Sequence, residues 1–178
     1  MARLLGSLIV MLSLAGCVTR SNDHPNTRLE SLSTWQLRGK IGIRSNEGNA
    51  NLSFIWKESP DRYSISLKGA LGMSLATVTG RGASGQVLLT LPDGREFRSN
   101  RVESLIEDYI GYRLPISFLR YWVRGFPDPD YDAQLLERGF SQKGWQVTFQ
   151  QFSAEGPRKI LIEQSDIRLK LAALKWAY

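Results

Sequence analysis

Few side chains in this 178-residue sequence could do covalent or metal chemistry. The single cysteine is Cys17 and the single histidine is His24. Both precede the first patterned segment. Cys-His catalysis, a Ser-His-Asp triad and a histidine-based metal site therefore have no material. Asp128, Asp130 and Asp132 alternate like calcium ligands, but Pro129 intrudes and the glycine and distal glutamate of an EF-hand loop are missing. A solvated loop is expected there. Gly80-Arg81-Gly82-Ala83-Ser84-Gly85 lies between strand patterns and opens no helix, so it reads as a turn and not as a phosphate cradle. No carboxylate pair stands out on an apolar strand face. Neither an enzyme nor a metal protein is expected.

The chemistry that remains is acylation of Cys17. Arg3 is the only charge before the apolar run Leu4 to Leu14. That run falls short of the roughly 20 apolar residues of a membrane-spanning helix and fits the h-region of a signal peptide. It ends in Leu14-Ala15-Gly16-Cys17, which resembles the lipobox of bacterial lipoproteins. Cleavage before Cys17 is expected, with a diacylglycerol thioether on its sulfur and an N-acyl group; no other cofactor is expected. Val18 and Thr19 follow, with no Asp after the cysteine. By resemblance to the gram-negative sorting pattern, this favours the outer membrane over the inner one. Residues 1–16 are thus read as a signal peptide, 17–28 as lipidated cysteine and flexible tether, and 29–178 as one domain facing the periplasm.

Apolar bulk is the other conspicuous material. Of the five tryptophans, Trp122, Trp145 and Trp176 sit on separate elements at apolar-face positions. They are compatible with an ordinary core or with a greasy cavity for an acyl chain. The segment Gly69-Ala70-Leu71-Gly72-Met73 joins two strand patterns. Loop tips are usually polar, yet this one carries Leu71 and Met73 beside Gly72, an apolar wedge that could dip into lipid. The net charge of +6 is spread along the chain with no basic block. A solvated basic surface and affinity for anionic lipid both remain open. Nucleic acid is not expected.

The elements that must hold these residues are mostly strands. Ala50, Leu52, Phe54 and Trp56 alternate with polar neighbours, as do Tyr63, Ile65 and Leu67, and Val87, Leu89 and Leu91. Period two with one apolar face predicts antiparallel strands half-buried on a core. Glu58-Ser59-Pro60-Asp61 is turn chemistry, and Pro92-Asp93-Gly94 predicts a tight hairpin into Glu96-Phe97-Arg98. A helix is predicted after Asn100, with Glu103 completing a capping box; Val102, Leu105, Ile106 and Tyr109 form its stripe and Gly111 its end. Pro115 opens a second helix carrying Phe118, Leu119 and Trp122. Strands resume at Trp145–Phe149, Lys159–Glu163 and Ile167–Tyr178. In the last, a bulge near Ala172-Ala173 would put Leu174, Trp176 and Tyr178 on the face of Ile167, Leu169 and Leu171. The fold class is mainly β with a small α part: a curved antiparallel sheet or open barrel with a helical insert over its mouth.

Taken in order, several of these pieces resemble the LolB family. They are Arg38-Gly39-Lys40 with Trp56, Leu71-Gly72, Leu114-Pro115, Leu119-Arg120-Tyr121-Trp122, Gly125-Phe126-Pro127, Gly144-Trp145, and Leu169-Lys170-Leu171 through Trp176. The resemblance implies an incomplete β-barrel with a helical lid over a hydrophobic cavity. It carries the cavity onto Trp56, Trp122, Trp145 and Trp176, with Phe54, Leu67 and Leu89 beside them, and the membrane-delivery loop onto Leu71, Gly72 and Met73. One departure is Ala70, where a proline commonly stands. The implied function is an outer-membrane-anchored receptor, a monomer, that accepts client lipoproteins from a LolA-like periplasmic carrier, holds their acyl chains and inserts them into outer-membrane lipid. The alternatives are a structural lipoprotein of outer-membrane assembly that binds only protein, a soluble carrier, and a lipase, which the absence of a second histidine argues against.

Overall fold

A computed structural model of the protein describes residues 27–81 and 85–178. Cys17 and the expected leader lie outside them. A short helix, α1 (Thr27–Glu30), starts within the stretch expected to be tether, and its Leu29 is already buried. The period-two segments form strands: β1 (Trp35–Ser45), β2 (Gly48–Glu58), β3 (Tyr63–Lys68), β4 (Ser74–Gly80), β5 (Val87–Thr90) and β6 (Glu96–Ser99). Helices α2 (Val102–Ile110) and α3 (Ile116–Trp122) follow. Then come β7 (Ala133–Leu136), β8 (Gly139–Gln142), β9 (Trp145–Ser153), β10 (Gly156–Gln164) and β11 (Ile167–Ala177).

All of these strands join one 11-stranded antiparallel sheet, in the order β6-β5-β4-β3-β2-β1-β11-β10-β9-β8-β7. Each strand pairs with its sequence neighbour except at the centre, where β1 pairs with β11. β6 and β7 are the two edges and do not pair with each other, so the barrel stays incomplete. The chain between those edges forms α2 and α3, which is why the helices lie across the mouth. Inward residues recur at every second position: Leu52, Phe54 and Trp56 on β2, Tyr63, Ile65 and Leu67 on β3, Trp145, Val147 and Phe149 on β9. The close approach at Gly39 needs glycine: a Cβ there would stand 2.5 Å from the Phe54 ring and 2.8 Å from the Ala172 carbonyl.

Three local expectations change. Arg101, not Asn100, precedes α2, and no side chain caps it. The Glu103 carboxylate instead accepts the Ser117 backbone N–H at 2.9 Å, capping α3 from α2. A donor in three-dimensional reach has displaced the local one. Tyr109 leaves the core and lies on Phe97, ring centroids 4.1 Å apart. In β11 the register passes from Gly39↔Ala173 to Arg38↔Lys175, so Leu174 is the bulged residue. Trp176 returns to the inner face, but Leu174 and Tyr178 stay about half exposed. The terminal helix signals hold: Gly111 ends α2 in the left-handed region at φ 84°, where glycine has no steric penalty.

Candidate functional site

The two helices close on the sheet around an apolar seam of about 30 Å³. Phe54, Trp56 and Leu67 face Ile116, Leu119 and Val123 across it. That volume holds about one water molecule. Trp122, Trp145, Trp176 and Leu89 are also buried and inward, but they do not line the seam. The tryptophans split into two groups. Trp35 lies 5.6 Å from Trp56 and 5.7 Å from Trp176 at one end of the barrel. Trp122 of α3 lies 6.2 Å from both Trp145 and Phe140 at the other.

Buried polar groups fasten the lid at both ends. Glu58 takes the Trp56 indole N–H at 2.9 Å on one carboxylate oxygen and an Arg120 guanidinium N–H on the other. This ion pair joins β2 to α3 in largely buried surroundings, where removing one partner would strand the other charge. Arg124, just past α3, donates to the Leu29 and Leu32 carbonyls at 3.2 and 3.3 Å and lies 4.5 Å over the Phe126 ring. Burial pulls its guanidinium down from the usual value, while the Glu58 charge acts the other way. At the opposite end Gln142 of β8 is a hub. Its Oε1 accepts from Trp122 Nε1 and the Asp128 backbone N–H, and its Nε2 donates to the Asp128 and Tyr131 carbonyls, all at 2.8–2.9 Å. The loop after α3 is therefore tied down and not fully solvated: Asp128 is buried, with its carboxylate accepting the Asp130 N–H, while Asp130 and Asp132 are exposed. No cluster suited to a metal occurs among the described residues.

Tyr63 lies beneath Arg120, whose guanidinium stands 5.7 Å over its ring, and burial pushes its phenol up to about 12, with Arg120 drawing it down and Glu103 and Glu58 adding to the rise. The neutral phenol is thus the form that belongs to the fold. Its contribution to stability is present below the ordinary tyrosine value near 10 and is lost as the pH climbs through about 12. Ultraviolet titration should show this phenol ionising after the solvent-exposed ones, and Tyr63→Phe should remove the late step. A titration in which Tyr63→Phe removes an early step would contradict the buried placement.

Between β3 and β4 the chain makes a tight 3-10 turn at Ala70–Gly72. The Gly69 N–H donates to the Met73 carbonyl at 2.9 Å and pins the loop base. Leu71 at the tip is 100% exposed and Met73 63% exposed. Leu71 also sits at φ 58°, ψ 15°, a left-handed conformation that costs a non-glycine residue about 1–2 kcal/mol. Neither packing nor backbone preference accounts for a leucine there.

Residues 33–176 match the family model for the outer membrane lipoprotein LolB. The chain belongs to the LolB family. The outer-membrane lipoprotein LolB of Chromohalobacter salexigens is 33% identical, the alignment covering 98% of this chain and 90% of that protein. The LolB of Pseudomonas fluorescens is 36% identical over 159 residues, 84% of this chain and 77% of its own length. A solved LolA superfamily protein from Nitrosomonas europaea aligns with a TM-score of 0.49 at 11% identity, covering 81% of this chain and 85% of that one. Membership places the chain among the outer-membrane lipoproteins. Among the described residues no helix is long and apolar enough to cross a membrane.

Within this LolB-family chain, reading the sequence missed the polar fasteners. Glu58 could have been found: it shares the parity of Trp56 and so continues the inward face of β2, although it was expected in a turn. Arg120 belonged to a matching motif without a role. Gln142 had no usable signal, because β7 and β8 carry no alternating apolar pattern.

Proposed function

We propose that this chain is a lipid-anchored receptor. It takes lipoproteins from a soluble LolA-like carrier, holds their acyl chains between sheet and lid, and passes them to the outer membrane. The observation that carries this reading is the apolar seam beneath a lid, on a sheet whose two edges are left unpaired. An acyl chain cannot enter about 30 Å³ of space. Entry requires α3 to lift and the edges to spread, and the unpaired edges permit this without breaking a strand pair. Burying each methylene is worth about 0.8 kcal/mol, so the client's chains supply a driving force for opening. Release must then go to another apolar phase and not to water. No step of this cycle makes or breaks a covalent bond.

The test mixes a carrier–lipoprotein complex with vesicles bearing the full-length chain. The labelled lipoprotein should move to those vesicles and not to bare ones. Equal movement to both would end the receptor reading. The nearly filled interior also suits a scaffold that binds only protein. A fluorescent fatty-acid probe separates the two: it should alter tryptophan emission in a receptor and leave a scaffold unchanged. The anchor itself is expected on Cys17. Mass spectrometry of the mature N-terminus should find that residue first and acylated, and Cys17→Ser should abolish the modification; an unmodified Cys17 would refute the anchor.

A further inference from the structure

The outer face of the central strands is strongly basic. β1 exposes Arg38, Lys40 and Arg44, and β11 exposes Arg168, Lys170 and Lys175. The register sets Arg38 opposite Lys175 and Arg44 opposite Arg168. Like charges directly across a strand pair are destabilising, so folding alone gives no reason for them. Gly42 lies between Lys40 and Arg44, facing Lys170 on one side and Asn51 on the other. With no side chain at Gly42, the face holds a depression of about 390 Å³, rimmed by Lys40, Arg44, Arg168, Lys170, Asn49 and Asn51. Among the described residues no carboxylate borders it. Arg168 pairs with Glu163, but among the described residues no ion pair engages Lys40, Arg44 or Lys170.

This face is also level with the exposed loop. Lys68, the last residue of β3 before the Leu71 turn, stands opposite Ser53; Ser53 stands opposite Lys40, Lys40 opposite Ala172, and Ala172 opposite Lys159. Lysines therefore recur on every second strand, roughly 10 Å apart at the usual strand spacing, in a row that runs toward the loop base. Regular spacing over a broad sheet face matches a plane of anions better than it matches one compact anion.

We propose that this face docks onto anionic phospholipid headgroups at the membrane surface, with a headgroup phosphate seated in the depression over Gly42. Docking would hold the Leu71 loop against the bilayer and leave the lidded mouth, on the opposite face of the sheet, open to a carrier. The inference rests on the family's place at the outer membrane and not on acyl-chain binding. It can fail while the transfer experiment above succeeds, and the reverse.

The test uses the full-length lipidated chain in vesicles of phosphatidylcholine alone or with phosphatidylglycerol. Brief amine acetylation followed by peptide mass spectrometry reads the reactivity of Lys40 and Lys170. Lys143, which lies over the Tyr131 ring in the turn after β8, serves as the internal reference. A single cation held at an anionic surface gains a factor of about five. Lys40 and Lys170 should therefore be protected about fivefold or more by phosphatidylglycerol, with Lys143 unchanged and protection lost at high salt. Equal reactivity in both vesicles overturns the proposal, as does equal protection in both. Protection by inorganic phosphate on phosphatidylcholine vesicles would mean a free-anion site, and protection only on adding carrier would mean a protein interface; either overturns it. The variant K40Q/K170Q should keep its melting temperature and deliver lipoprotein more slowly to anionic vesicles only. Equal slowing on both vesicle types would also refute the docking face.

Discussion

Trp122→Ala should lower the melting temperature by about 6–20 °C, the largest stability effect expected of a single change in the lid. Trp122 is wholly buried. It stacks on Phe118 at 5.4 Å, meets Trp145 and Phe140 at 6.2 Å, and donates its indole N–H to Gln142. Truncating a buried tryptophan costs about 3–5 kcal/mol, and each kcal/mol shifts a domain of this size by roughly 2–4 °C. Trp122→Phe keeps a ring in place and loses mainly the hydrogen bond, so it should recover most of the loss. Hydrogen exchange adds the mechanism. If the lid opens as a unit, exchange in Trp122→Ala should rise most in α3, with β1 and β11 protected. A melting temperature within about 2 °C of the parent would show that Trp122 is not packed as described.

Leu71→Glu should do the opposite: stability stays nearly unchanged and delivery fails. A charge forced into a core without a partner costs several kcal/mol. Leu71 is fully exposed, so no such penalty applies, and the melting temperature should stay within a degree or two of the parent. Uptake from the carrier should persist, because the seam and its lid are untouched. Insertion into vesicles should fall strongly, because a carboxylate resists entry into hydrocarbon. Leu71→Gly provides a second check: it relieves the left-handed backbone and removes the apolar side chain, so it should not destabilise and should still slow insertion. Equal loss of uptake and insertion in Leu71→Glu would show that the loop does not act at the membrane.

The periodic parts of the fold were legible because each strand is buried on one face only. Leu52, Phe54 and Trp56 announce β2, and Tyr63, Ile65 and Leu67 announce β3, since an inward position must be apolar and the outward one need not be. The exposed Leu71 was legible for the converse reason: an apolar residue stood where a turn expects a polar one. What could not be read depends on partners distant in sequence. Glu103 looks like half of a capping box until Ser117 is known to lie beside it. The bulge falls at Leu174 because β1 skips that residue, and β11 alone cannot reveal this. β7 stayed hidden because it is an edge strand whose Leu135 and Leu136, on opposite faces, are both exposed. Alternation also says which side chains point inward without saying how near the opposite wall comes. The expected tryptophan cavity is therefore two aromatic clusters and a narrow seam.

The pairing of β1 with β11 has a consequence for how the molecule is made. β11, the last of the described strands in chain order, does not finish an edge; it completes the middle of the sheet. As the chain emerges from an export pore, β1 to β6 and β7 to β10 can form two separate meanders of local hairpins. No strand pairing joins them until the eleven-residue β11 arrives. Contacts between the first and last strands carry the greatest loop-closure cost and slow folding. Until they form, the exposed edges of both meanders are open to pairing with other chains. Removing β11 as a whole would therefore split the sheet at its centre, because β1 and β10 each pair with it and not with each other.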